Sequence, residues 1–233
     1  MELIWKGIIR AFVLLATGDP EVWRITWLSI QVSGSATLLA MGLGIPAGSL
    51  LALTRFPGRS LAVSLVNTGM GLPPVVVGLF VTVMLWRESL LGFLQLLYTP
   101  SAMVAAQVII AFPIVAGLTL AALQSLNPKL RLQLVALGAS RLQVVFLLLR
   151  EARLPLLAAV MAGFGGVISE VGAVLMVGGN IKGQTRVLTT ATVLETRMGN
   201  FEIAIALGVI LLALTFSVNF VLTRLQQRER RHW

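Results

Sequence analysis

Few side chains in this chain can do chemistry. The most telling is a carboxylate in apolar surroundings, Glu170, within Gly163-Phe164-Gly165-Gly166-Val167-Ile168-Ser169-Glu170-Val171-Gly172-Ala173. An ionisable group in such a stretch marks a pathway, a relay or a partner contact, because an uncompensated charge in hydrocarbon is costly. A purely structural buried glutamate is the plainer reading of the same residue. Glycines on both sides let another backbone come close. A bare carboxylate repels anions, so pairing with a basic side chain or with backbone donors, as a gate or helix lock, suits Glu170 better than ligating an anion.

A second candidate is Gly178-Gly179-Asn180-Ile181-Lys182-Gly183-Gln184-Thr185, which nearly spells the phosphate-cradling loop G-x-x-x-x-G-K-[ST]. Gln184 stands where the lysine is required, and the loop follows an apolar helix-like run rather than a strand. Nucleotide binding by this chain is therefore excluded. Cysteine is absent, the one histidine is His232 in a polar tail, and the apolar stretches hold no paired carboxylates. Neither a metal site nor nucleophile-and-base catalysis has residues to work with, so no cofactor is expected and the chain reads as a non-enzyme.

The elements that must position these residues are membrane-like. Apolar residues make up 57% of the 233, mean hydropathy is +0.93, and charged residues are 12%, against about 25% in soluble domains. The expectation is an all-α integral membrane protein, residues 1–233 forming a single domain. Apolar windows of about 20 residues predict five spans, at 26–53, 61–86, 101–123, 155–177 and 201–223. In residues 1–17, Glu2, Lys6 and Arg10 fall four apart with Ile4, Ile8, Phe12 and Leu15 on the remaining face. That pattern predicts an interfacial helix, with a cleavable leader as the rival reading. Trp23 and Trp27 supply an interface anchor. Gly44 and Gly48 form a small-xxx-small pair suited to close helix packing, and Pro46 and Pro113 are candidate kink sites.

Two stretches interrupt this pattern. Leu72-Pro73-Pro74-Val75 puts adjacent prolines in the second span, removing backbone donors at a depth where lipid offers nothing in exchange. A broken helix facing protein or a cavity is expected, with a simple kink as the alternative. The other is the polar-punctuated interval 124–153. Pro128 after Asn127 suits a helix start, Leu130, Leu132, Leu134 and Leu137 recur along it, Gly138-Ala139-Ser140 breaks it, and a second run leads from Arg141 to Arg153 ahead of Pro155. The prediction is helix, glycine turn, helix between two spans, and on geometry alone an ordinary surface loop is the favoured reading of it.

A net charge of +9 could suggest nucleic acid, but the placement of the charges argues against it. Alternate loops hold Arg55 and Arg59, then Lys129, Arg131, Arg141, Arg150 and Arg153, then Arg224, Arg228, Arg230 and Arg231, with only Glu151 and Glu229 as acids. The opposite side carries seven basic residues and six acids. The positive-inside rule places the 124–153 loop and the basic tail, 224–233, in the cytoplasm, with the N-terminus outside a multi-pass cell-membrane protein.

The segment Leu137-Gly138-Ala139-Ser140-Arg141 through Leu154-Pro155 resembles the cytoplasmic coupling loop of ATP-binding-cassette importer permeases, with Gly138 matching the family glycine. Leu132, Gln133 and Leu134 stand where that family usually has Glu-Ala-Ala, and Leu154-Pro155 arrives about one helical turn late, which points to a subgroup. The segment at Pro73-Pro74 is similar to one in molybdate, sulfate and tungstate permeases, and residues 169–201 resemble the tungstate importer permeases. The resemblance implies a binding-protein-dependent importer permease fold working as a homodimer in the lipid bilayer. It also implies two ATPase subunits docked at Leu137, Gly138, Ala139, Ser140 and Arg141, and an extracytoplasmic tungstate-binding protein. Pro73, Pro74, Ser169, Glu170, Gly172 and Asn180 would border the pathway or gate, and Thr189, Thr190, Thr192 and Glu195 would follow the outer gate. Molybdate or sulfate import on the same fold is the near alternative. An ion-driven secondary transporter is the distant one, but it should show internal repeats and several ionisable midplane residues, and here only Glu170 qualifies.

Overall fold

The structure, a computed structural model, describes the backbone of residues 2–230 and, among them, all side chains except those of 225 and 228–230. His232 and the last residues of the basic tail lie outside the described residues. The helices are α1 (Glu2–Ala16), α2 (Pro20–Leu53), α3 (Arg59–Gly69), α4 (Pro74–Leu85), α5 (Pro100–Gln124) and α6 (Pro128–Ala136). They continue as α7 (Arg141–Glu151), α8 (Arg153–Ile168), α9 (Gly172–Gly178), α10 (Leu188–Arg197) and α11 (Phe201–Arg230). No strand occurs among the described residues. Three helices start the same way, with a side-chain cap followed by proline: Asp19-Pro20, Thr99-Pro100 and Asn127-Pro128. The cap satisfies an orphan N–H, and proline at the first position has no N–H to orphan.

The centre of the bundle is the parallel pair α2 and α5, of which α5 is the more enclosed. Their axes come close because small residues face each other. Gly44 meets Val115, Gly48 meets the Ala116 carbonyl and Thr119, and Ala36, Ala40 and Ala111 are completely buried. Between lipid-bathed helices there is no hydrophobic driving force, so close van der Waals packing of this kind has to supply the association. Both helices run unbroken through Pro46 and Pro113. Instead of kinking α5 apart, Pro113 packs against Gly69 of α3.

Three helices, α2, α5 and α11, are long and apolar enough to cross a membrane alone. The expected single spans at 61–86 and 155–177 are instead bent pairs: α3 and α4 meet at 103°, and α8 and α9 at 57°. The count is thus three continuous spans, or five if each bent pair is one. The bundle has two distinct ends. At one, the end of α2 and the end of α5 pack with α7 around Leu53, Leu123, Val144, Leu148 and Ala152, and Gln226 Nε2 donates to the Leu154 carbonyl. At the other lie the start of α2 and the loop between α9 and α10, where Lys182 pairs with Glu21.

The Lys6–Glu2 pair, 2.7 Å apart, lies on the polar stripe of α1, and the face packed on protein is a narrow one of small residues. Gly7, Ala11 and Leu14 are buried, with Gly7 against Ile205 of α11, while Ile4 and Phe12 are exposed. Small residues let α1 approach α11, which leaves the bulky ones facing outward.

The α2–α5 contact gives a paired test. A Cβ at Gly48 would collide with the Ala116 carbonyl, whereas one at Gly42 meets nothing within 4 Å. Gly48→Ala should cost about 1–3 kcal/mol as an overpacked contact, and Gly42→Ala should stay within about 1 kcal/mol of wild type. Thermal unfolding of the two purified variants in detergent checks the difference.

Candidate functional site: two broken helices and a glycine hairpin

The two helix breaks lie side by side. The half-helices beyond them, α4 and α9, pack backbone to backbone: a Cβ at Gly78 would fall 2.6 Å from the Ala173 Cα, and one at Gly172 2.6 Å from Val75 Cγ2. Pro73, Pro74, Ser169, Glu170 and Gly172 are therefore brought into one region. Asn180 is not among them. It sits past the far end of α9 in the left-handed region, φ 52°, with Nδ2 3.5 Å from the Thr190 carbonyl.

Breaking a helix frees backbone groups, and each break supplies partners for them. At the first break the donors stay local: Gly71 N–H reaches the Thr68 carbonyl, Leu72 N–H the Gly69 carbonyl, and Pro73 and Pro74 have no N–H to satisfy. The Pro73 carbonyl accepts from Val76 and Val77, starting α4 at once. At the second break the partners are side chains. Ser169 Oγ donates to the Gly165 carbonyl at 2.8 Å, and Glu170 Oε1 accepts the Ala173 N–H at 3.0 Å, capping α9. The Glu170 carboxylate is half-buried and turned onto the backbone of its own helix.

Partners also come from distant parts of the chain. Gln107 Nε2 on α5 donates to the Val167 carbonyl at 2.9 Å, and Thr189 Oγ1 on α10 donates to the Glu170 carbonyl at 3.0 Å. Ser29 Oγ on α2 accepts the Leu188 N–H at 2.9 Å, tying the start of α10 to the central pair. A cavity of about 10 Å³ lies among Ser29, Ser33, Gln107, Glu170 and Thr189, the size of one water. Gln107 Oε1 is buried there with no protein partner. Sequence reasoning passed over Gln107 and Ser29. A signal existed for Gln107, the one amide inside the 101–123 apolar run.

The hairpin of α6 and α7 is built at the other end. Gly138 turns at φ +83°, a conformation that favours glycine, and Ala139 N–H returns to the Leu134 carbonyl to close α6. Ser140 and Gln143 form a reciprocal capping box that starts α7 at Arg141. One face of the hairpin is fastened to the bundle by Leu130, Leu134, Val144 and Leu148. The other presents Leu137 and Leu142, 84% and 83% exposed, with Leu132, Val135 and Phe146 beside them. An open groove of about 470 Å³ runs past Leu137, Gly138, Gln143 and Phe146. Rigid backbone bearing bare leucines on a polar-sequence loop is a protein-docking surface.

An all-helical bundle with three helices long and apolar enough to cross a membrane, two sharply bent helix pairs and an apolar-tipped hairpin at one end defines a polytopic membrane component. The chain belongs to the family described as binding-protein-dependent transport system inner membrane component, whose model matches residues 44–231. It is 42% identical over 227 residues to the tungstate uptake system permease protein TupB of Peptoclostridium acidaminophilum, covering 97% of this chain and all of that protein. It is 44% identical to a probable anion ABC transporter permease of Haloferax volcanii, covering 92% and 96% of the two chains. Permeases named for molybdenum and sulfate transport are more distant relatives. Among solved structures, an inward-facing conformation of the MetNI methionine ABC transporter shares the fold, with a TM-score of 0.74 at 20% identity over 90% of this chain and 98% of that one.

The capping role of Glu170 gives a graded expectation. Glu170→Ala, which removes the acceptor for Ala173 N–H, should cost about 0.5–2 kcal/mol, while Glu170→Gln keeps an acceptor oxygen and should lose less than half of that. Equal melting temperatures for the two variants would remove the cap from the account.

Proposed function

We propose that this chain is the permease subunit of an ATP-driven importer of tungstate, acting as a dimer of two copies that hold the pathway between them. The observation that carries the reading is the end-to-end similarity to a tungstate uptake permease, 42% identity over 227 residues. In this reading each bent pair is one span, giving five, and α6, α7 and the C-terminus face the cytoplasm. An extracytoplasmic binding protein delivers the anion to the opposite face. Two separate ATPase subunits dock on the exposed leucines around Gly138, and this chain hydrolyses nothing itself.

Geometry supports a mechanical coupling. The hairpin is capped and glycine-set, so it moves as a body, and α7 passes through the buried Ala152 directly into α8. The far end of α8 is the Ser169–Glu170 break. A displacement imposed by ATP-driven closure therefore arrives at the point where α9 is held by replaceable side-chain hydrogen bonds, as switching between inward-open and outward-open states requires. Glu170 Oε1 is turned onto the Ala173 N–H, so the carboxylate is directed at its own helix rather than offered to a passing dianion. Hydroxyls and backbone groups bordering Pro73, Pro74, Ser169, Gly172 and, further out, Asn180 would hold the anion weakly and let it leave.

The test is ATP hydrolysis by the chain reconstituted in proteoliposomes with its ATPase and binding protein, under tungstate, molybdate and sulfate at matched concentrations. Tungstate should stimulate at least tenfold lower in concentration than the other two; equal potency of molybdate would sink the substrate assignment. Leu142→Asp should abolish ATPase association while the protein stays folded, and retained coupling in that variant would remove the docking account. A reporter active only in the cytoplasm, fused after Trp233, should give signal; silence would overturn the sidedness.

A further inference from the structure

At the end of the bundle opposite the hairpin, three cations and one carboxylate line a single cavity. Glu21, in the first turn of α2, pairs with Lys182 Nζ at 2.7 Å and lies 3.4 Å from Arg186 Nη1. Arg24, one turn further along α2, reaches over Gly183, where an added Cβ would fall 3.2 Å from its Nη1. Among the described residues Arg24 has no carboxylate partner. Arg186 is mostly covered, 16% exposed, and its Nε is buried without an acceptor. A cavity of about 270 Å³ opens between these groups, walled by Pro20, Ile25, Leu28 and Gly183.

This set is short of one anion. Three positive groups around a single carboxylate leave a local excess that repels itself, and partial burial strengthens the repulsion. The neighbouring cavity narrows the excess without closing it: it adds Asp19, whose side chain caps α2 by accepting from Glu21 and Val22 N–H, and Glu195, which accepts from Asn200 Nδ2, against one further cation, Arg10, so Arg10, Arg24, Lys182 and Arg186 face Asp19, Glu21 and Glu195. The loop that carries Lys182 and Arg186 is rigid. Three N–H groups, from Gln184, Thr185 and Arg186, converge on the Ile181 carbonyl, and Thr185 Oγ1 donates to the Gly178 carbonyl at the end of α9. The backbone that carries Lys182 and Arg186 is thus set independently of their ion pairs.

We propose that Arg24, Lys182 and Arg186 form a receiving site for a tetrahedral oxyanion, with Glu21 as the internal competitor that occupies the cations when the site is empty. A dianion offers four oxygens to two guanidinium groups and an ammonium, the pairing Arg favours geometrically, and it neutralises the excess that Glu21 alone cannot. Gly183 keeps the wall between Arg24 and the loop free of a side chain. The site rests on the import reading given above, and it locates where the arriving anion first meets this chain, two residues beyond Asn180 and along the loop leading from α9 to α10. Glu21 sets its strength: displacing the carboxylate keeps capture weak and release easy.

The decisive experiment is equilibrium dialysis of sodium tungstate against the purified permease–ATPase complex without binding protein, at low ionic strength, together with thermal unfolding of each variant. Arg24→Gln combined with Lys182→Gln should lower bound tungstate at least tenfold. Glu21→Gln should raise it severalfold while lowering the melting temperature, because it frees the cations yet breaks the two ion pairs. Opposite movement of binding and stability is a signature that a merely structural ion-pair cluster does not give. Binding unchanged by the double substitution, or no gain in Glu21→Gln, overturns the site and leaves the cluster a pin between α2 and the loop. If the wild-type complex imports molybdate and not tungstate while molybdate binding follows the same variant order, the site stands and only the cargo named above falls.

Discussion

Lipid offers no hydrogen bonds, so every backbone group released by a broken helix must find a partner inside the protein. The rest of this structure is arranged around that demand. The chain bends sharply within two helix pairs, and it meets the demand by two different routes. At Met70–Pro73 the sequence removes the problem: two prolines carry no N–H, and the turn donors close locally. At Ser169–Val171 the sequence leaves the groups in place and imports partners for them, from Ser169 and Glu170 nearby and from Gln107 and Thr189 on other helices. The first route makes a rigid corner. The second makes a corner whose bonds are individual side-chain contacts, each contributing about 0.5–1.5 kcal/mol net and each able to be exchanged for another.

That difference assigns distinct parts to the two corners even though they touch. α4 and α9 are pressed together at Gly78 and Ala173 and again at Val75 and Gly172, so neither half-helix can rotate without the other yielding. Contact at backbone distance is the membrane solution to association, as it is between α2 and α5. The fixed proline corner therefore serves as the reference against which the exchangeable one is held. The α4–α5 connection joins the same assembly, since the Tyr98 N–H donates to the Val177 carbonyl at the end of α9 at 2.8 Å.

What could be read from the sequence follows from how local each cause is. The break at Pro73-Pro74, the helix start at Asn127-Pro128 and the turn at Gly138 rest on residues that act on their own backbone, and the structure has all three. The break at Glu170 was not legible as a break: the residue stood out for its charge, while the bend it caps depends on Gln107, 60 positions away, and on Thr189, 19 away. Ser29, which receives the Leu188 N–H from 159 positions away, looked like any hydroxyl in a helix. The protein-packing face of α1 was not named by the sequence for a related reason. Hydrophobic bulk predicts the buried face in water, but in lipid the small residues Gly7 and Ala11 turn inward and Phe12 turns out. Pro46 and Pro113 show the same limit, because whether a proline opens a membrane helix depends on neighbours the local sequence does not name.

The two functional regions are separated by the length of one helix. α8 has 16 residues, about 24 Å at helical rise, with the capped hairpin at its start and the exchangeable corner at its end. At its base Ala152 is buried to 0% and sits among Ala122, Leu123 and Leu148, so the joint between α7 and α8 is packed solid against the end of α5. From that joint α8 runs past Gly163, which touches Val115 of the central pair, to Val167 and Glu170, whose carbonyls accept from Gln107 and Thr189. The start of α8 is therefore fixed by side-chain packing and its end by single hydrogen bonds beside the proline corner, so the two ends of one helix are held by different kinds of contact.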